Sequence, residues 1–192
     1  MKVTLFVFLV LFAPFALAGN GFVNPDFAGR SYLHIVVSVL SDDLDYREMF
    51  EKRIAREIAD HGGHASTYLS LFSPAKKYTQ EEMAAILESS GADAVLVVNI
   101  GDVQDERKIG GTLSQTNQIG YTTMTTTQPV GMRKKSLSAS ATLFDAKTGN
   151  SAWVGSSSVT AKGLHALSDG KIIGRLADDL AGKLKKSSLL AH

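Results

Sequence analysis

Apolar and polar positions along the chain fall into segments of different period. "SYLHIVVSVL", residues 31–40, has no polar break around Ile35-Val36-Val37. A short continuous apolar run of this kind predicts a strand covered on both faces. "DYREMFEKRIAREIADHGG" then changes to helical spacing: Tyr46, Phe50, Ile54 and Ile58 recur with Met49 beside them, and Arg47, Glu51, Arg53 and Arg56 fall on the expected solvent face. Asp45, with Glu48 three residues on, predicts a capping-box start, and Gly62 a left-handed stop. "HASTYLSLF" predicts a second strand ended by Ser73-Pro74. A second helix follows, with Thr79 as N-cap, Glu81 and Glu82 in the first turn, Met83, Ile86 and Leu87 inward, and Gly91 as stop. "AVLVVNIGDV" is a further apolar strand.

Strand, helix, strand, helix, strand with short connections predicts a parallel sheet. After Val103 the pattern is lost. Residues 104–133 are rich in Thr, Gln and Gly without helical period or apolar stripe, which predicts a long projecting hairpin or loop. Regularity returns where Leu137, Ala139, Ala141 and Leu143 alternate with Ser138, Ser140 and Thr142, a strand with one buried face. "DAKTGN" predicts a hairpin turn with Gly149 left-handed, and Trp153 and Val159 share parity on the returning strand. Ile173, Leu176, Ala177, Leu180 and Leu184 form the stripe of a final helix, with Lys183, Lys185 and Lys186 at its C-terminal end. The fold class is α/β: a mixed sheet with a βαβαβ start, then an antiparallel hairpin and a C-terminal helix packed on the sheet.

The first residues add an address. Lys2, an apolar run from Val3 to Phe15 and Ala16-Leu17-Ala18 have the form of a secretory signal cut after Ala18. The run is shorter than the roughly twenty residues a membrane span needs. The domains are therefore a signal peptide over 1–18, a loosely held leader over 19–30, one α/β domain over 31–187 and a short tail over 188–192. The chain has no cysteine, so neither a disulfide nor a lipid-bearing cysteine is expected, and the mature protein is placed in the periplasm. Loss of Lys2 brings the 20 basic residues level with the 19 acids, which argues against nucleic-acid binding.

Candidate chemistry is sparse. There is no G-x-S-x-G elbow, no P-loop and no G-x-G-x-x-G after the first strand. "HGGH" is a helix end: His61 meets the negative end of the helix dipole, while a bare histidine pair lacks the further ligands that zinc requires. Asp42, Asp43 and Asp45 follow the first strand, where open α/β sheets bind ligands, yet aspartates also cap helices and no further carboxylates complete a cation shell. No catalytic, cofactor-binding or metal residue is assigned.

Three phrases carry a resemblance: "YREMFEKRIAREIADHGGHASTYLSLFSP", "YTQEEMAAILESSGADAVLVVNIGDV" and "SATLFDAKTGNSAWVGS". With the Phe50-Glu51 pair, the Gly91-Ala92-Asp93 turn, the Asp145, Thr148, Gly149 hairpin and Trp153, residues 31–187 resemble small secreted envelope proteins related to the curli-secretion (CsgG-like) family and the amino-terminal domain of TolB. The resemblance implies an α/β sandwich of the bacterial periplasm or outer membrane, with a role in envelope assembly and no enzymatic activity. Many such relatives carry a lipid-anchoring cysteine, which this chain lacks. The sustained alternation a lipid-facing strand needs is also missing from 104–133.

Two readings stand. One is a non-catalytic periplasmic or outer-membrane-associated binding or scaffold protein, needing no cofactor. Its contact residues would be Ile109, Leu113, Ile119, Tyr121 and Met124, and its partners envelope proteins. A homo-oligomer and a peripheral membrane contact are compatible with it, without a span in the mature chain. The other is a cation-dependent or hydrolase-like enzyme using the Asp42–Asp45 corner.

Overall fold

The computed structural model describes residues 21–119, 122–163 and 168–191; the signal-peptide segment 1–18, Tyr121, His165 and His192 lie outside the described residues. The elements in chain order are β1 (Phe22–Val23), a 3-10 turn (Pro25–Phe27), β2 (His34–Leu40), α1 (Leu44–Asp60), β3 (His64–Thr67), α2 (Tyr68–Leu71), α3 (Gln80–Ser89), β4 (Ala94–Ile100), β5 (Gln104–Ile119), β6 (Thr122–Asp145), β7 (Ser151–Gly163) and α4 (Asp169–Lys186).

The strands form one mixed sheet in the order β1-β7-β6-β4-β2-β3, with β5 paired to β6 off this path. β2 runs parallel to both β3 and β4, as short connections through helices require, and β6 runs antiparallel to both of its neighbours, β4 and β7. The fold is α/β, with its C-terminal helix packed on the sheet.

One parity of each strand supplies the core. Ile35, Val37 and Val39 of β2, Ala94, Leu96 and Val98 of β4, and Leu137, Ala139, Ala141 and Leu143 of β6 meet Phe50, Ile54 and Ile58 of α1 and Ile173, Leu176, Ala177, Leu180 and Leu184 of α4. Val36 and Ser38, of the other parity, are buried as well, so β2 reads as an unbroken apolar run. Fully burying an aliphatic side chain of this kind stabilises by roughly 1.5–3 kcal/mol.

Several expectations are corrected. The α1 face is rotated: Met49 is exposed, whereas Glu51 is completely buried and Glu57 nearly so. Each of these glutamates is paired one turn back, Glu51 with Arg47 at 2.9 Å and Glu57 with Arg53 at 2.7 Å, which is what lets a charge sit against the sheet. The α1 cap is Asp43 rather than Asp45; its Oδ1 accepts from the Tyr46 N–H at 3.0 Å. "HASTYLSLF" is not one strand. It is β3 followed by the single turn α2, where Tyr68 stacks on Phe72 at 4.3 Å and Phe72 meets Tyr78 edge-on at 5.3 Å. Met83, Ile86 and Leu87 of α3 are only half-buried, although the Thr79–Glu82 capping box is complete.

The leader and the tail are docked rather than loose. Phe22 and Val23 pair with Val154 and Trp153, Asn24 Nδ2 donates to the Ser151 carbonyl at 2.8 Å, and Phe27 is buried. At the other end Leu189 and Leu190 are buried, and Tyr32 N–H donates to the Leu189 carbonyl at 2.9 Å. The apolar side chains Phe27, Leu189 and Leu190, set among polar neighbours, hold both segments down.

Candidate functional site

β6 is far longer than the sheet that holds it. From Ala139 to Asp145 it lies between β4 and β7, and its last row with β7 is Arg133 opposite Gly163. From Met132 back to Thr122 its described pairing is with β5 alone, in rows running from Lys108–Met132 to Ile119–Thr122. At about 3.4 Å per residue this two-stranded ribbon extends roughly 35 Å beyond the sheet. Threonine is a good strand former, so "TTMTTTQPV" pairs in register where a mixed polar loop would not.

Charges fix the register at the root of the ribbon. Arg133 pairs with Asp105, its Nε 3.4 Å from Oδ1, and Lys134 lies 3.7 Å from Glu106 in the facing row. Opposite charges across antiparallel strands favour this alignment over a slipped one. Further out, the Ser114 and Thr127 hydroxyls, directly opposed, are 3.2 Å apart. Pro129 sits where β6 no longer pairs with β7, a position that tolerates the missing N–H, and the register shifts between Ile109 and Gly111.

Register arranges the predicted contact positions. Leu113, opposite Gln128, Met124, opposite Asn117, and Ile119, opposite Thr122, occupy rows of one parity and therefore one face of the ribbon. Ile109 pairs with Gly131 on the far side of the shift, which puts its position on the other face. Leu113 and Ile119 share parity in the sequence, but Met124 joins their face only through the pairing register.

Of the other sequence candidates, Asp43 and His61 cap the two ends of α1. Asp42, Asp43 and Asp45 are exposed at the α1 start, where Asp43 is occupied in capping. His61 is the C-cap of α1 and Gly62 is left-handed at φ +98°. His64 stands beside His34 across β3 and β2 with ring centroids 4.4 Å apart, and His34 Nε2 is 2.7 Å from Ser66 Oγ.

Sequence reasoning missed a polar cluster at the β6–β7 hairpin. Asp145 is buried; its Oδ1 accepts from the Thr148 N–H and hydroxyl, both at 2.9 Å, and its Oδ2 from Arg30 at 3.1 Å and Tyr32 at 3.3 Å. Burial alone raises the Asp145 pKa, but the Thr148 donors, Arg30 and Tyr32 together outweigh it and hold the carboxyl below its ordinary value. Tyr32 is pushed up to about 12, first by burial and then by the Asp145 charge. A satisfied cluster of this kind locks a turn and offers no free nucleophile or base.

A groove of about 540 Å³ is lined by Asn99, Ser138, Ser140, Ser156, Ser158 and Lys183, and the one cation of this lining is engaged. The Lys183 ammonium donates to the Ser156 carbonyl at 2.6 Å and pairs with Asp179 at 2.7 Å, holding α4 to β7.

No protein-family profile matches the chain, and no curated protein does. Among solved structures it is similar to the PelC dodecamer from Paraburkholderia phytofirmans, at 14% identity over 88% of this chain and 90% of that one, with a TM-score of 0.48. It is also similar to lipoprotein GNA1162 from Neisseria meningitidis, at 16% identity over 80% and 98% of the two chains and a TM-score of 0.45. A minor lipoprotein from Acinetobacter baumannii follows at 10% identity over 83% and 98%, with a TM-score of 0.37. Likeness at these values fixes neither a family nor a function. Among the described residues no helix is long and apolar enough to cross a membrane.

Proposed function

We propose that this chain is an exported, non-catalytic binding or scaffold protein of the bacterial cell envelope, working in the periplasm without a lipid anchor, and that the β5–β6 ribbon is its contact surface. The observation that carries this reading is the ribbon itself. A two-stranded hairpin is at best marginally stable alone in water, and exposed strand edges invite pairing. A ribbon reaching roughly 35 Å past its sheet contributes little to the core, and it gains most when another surface covers it.

The CsgG-like and TolB amino-terminal relationship belongs to the same proposal. Its motif residues act as joints of the fold. Phe50 is core, and Asp93 accepts from the Leu33 and His34 N–H groups at 2.8 and 2.9 Å. Asp145, Thr148 and Gly149 build the hairpin. Residues with these duties support an architectural relationship and give no support to a shared active site.

The test replaces Glu106–Val130 with a short Gly-containing turn. Loop closure varies only as about 1.5 RT ln n, so stability should change by around 1 kcal/mol while periplasmic cross-linking to partners is lost. Undiminished cross-linking would place the contact surface elsewhere, and collapse of the fold would make the ribbon structural.

A further inference from the structure

The seam between the end of α1 and the middle of α4 brings a distant side chain to two that stand one helical turn apart. Glu57 and His61 come from the last turn and cap of α1, and Asp178 from α4. One ligand-competent atom from each lies within 4.8 Å of the others, and His61 Nε2 is 3.7 Å from Asp178 Oδ1.

The other nitrogen of the His61 ring is already committed. Nδ1 is 2.8 Å from the Glu57 main-chain carbonyl. A carbonyl can only accept, so Nδ1 carries a proton and Nε2 is the ring nitrogen that faces the seam. Metal-bound histidines are oriented in this way, by a second nitrogen fixed on a carbonyl or carboxylate. The carbonyl end of α1 directs the negative pole of its dipole to the same place.

The surroundings leave room and access. Gly182 stands beside His61 with no side chain to cover Nε2; a Cβ there would lie 3.6 Å from it, in ordinary contact. Asp178 is exposed, giving an entry from solvent, whereas Glu57 is buried and held by Arg53 at 2.7 Å.

We propose that Glu57, His61 and Asp178 form a divalent transition-metal site, with zinc as the best-fitting ion and water in the fourth position. Zinc bound at 2.0–2.2 Å sets neighbouring ligand atoms about 3.3–3.6 Å apart, so the His61–Asp178 pair is nearly at that spacing. The other pairs lie within 4.8 Å, which leaves Glu57 about 1 Å to close on the same spacing. One imidazole with two carboxylates suits zinc better than calcium or magnesium, which take oxygen ligands alone. Occupied, the site would pin the end of α1 to α4, the two helices that cover the sheet.

The experiment uses the untagged mature chain, stripped with a chelator and titrated with zinc chloride against a chromogenic zinc indicator. One equivalent should bind. Asp178→Asn and His61→Gln should each weaken binding by at least about 100-fold, more than the loss of an outer hydrogen bond causes. Asp178 is exposed, so Asp178→Asn keeps the fold, which circular dichroism checks. His64→Gln should leave the affinity unchanged. Cobalt substituted for zinc should show the absorption of a four-coordinate ion. Failure to bind one equivalent, or binding that survives Asp178→Asn, would overturn the assignment. Loss of binding in His64→Gln would move the site to the His34–His64 pair and overturn it equally.

Discussion

Replacing Glu51 with alanine removes one carboxylate that closes three gaps. β3 stops at Thr67, opposite Val37, so Val39 has no strand neighbour on that side, and its N–H donates to Glu51 Oε1 at 3.2 Å. α2 begins at Tyr68, its N-cap Thr67 makes no side-chain cap bond, and its Leu69 N–H donates to Oε2 at 2.9 Å. Arg47 Nε donates to Oε1 at 2.9 Å. With Glu51 gone, two main-chain donors are orphaned at roughly 1–3 kcal/mol each, while Arg47 recovers part of its loss in water. The expected cost is about 3–5 kcal/mol, the range found when a buried ion pair loses one partner. For a chain of this size that lowers Tm by roughly 6–20 °C. Glu51→Gln is the control: its carbonyl oxygen still serves Val39 and Arg47, but the amide cannot accept from Leu69, and about 1–3 kcal/mol is expected. Urea unfolding of both variants, followed by circular dichroism, measures this. A cost below about 1 kcal/mol for Glu51→Ala would refute the view that this carboxylate completes the β3–α2 junction.

Four further outcomes follow from the same geometry. Asp145 is depressed in the folded state, so its stabilisation is complete above the unfolded carboxyl pKa and is lost as pH falls through the lower folded value; Asp145→Asn should flatten that acid limb in urea unfolding. Tyr32 shows the opposite case, stabilising below the unfolded tyrosine pKa until pH rises through about 12, and Asp145→Asn should lower its midpoint in an ultraviolet tyrosinate titration. Gly155 lies under the Trp153 indole, where a Cβ would overlap the ring, so Gly155→Ala should cost about 1–3 kcal/mol and shift the fluorescence of the single tryptophan. Gly62→Val forces a β-branched residue to φ +98° and should cost about 1–3 kcal/mol, against roughly 0.3–1 kcal/mol for His61→Gln, compared by thermal unfolding in chelator.

Local chemistry made much of the architecture legible in advance. The unbroken run of β2, the Thr79 capping box, the stripe of α4 and the glycine turn at Gly149 each depend on residues a few positions apart, and such contacts follow from spacing alone. What tertiary structure decided was everything that depends on a distant neighbour. Phe27, Leu189 and Leu190 looked like parts of loose ends until the sheet and its helices offered them a covered site. Glu51 had the spacing of a solvent-facing residue, but the end of β3 left donors that only a buried carboxylate could satisfy. Residues 104–133 show no stripe when read singly, because a strand has a face only once its partner sets the register. The β5–β6 pairing brought Leu113, Ile119 and Met124 to one face and left Ile109 on the other. His61 looked like half of an incomplete metal motif for the same reason. Glu57 stands one turn back on α1, at a spacing the sequence shows, but Asp178 reaches it across the seam on α4, a juxtaposition fixed by helix packing.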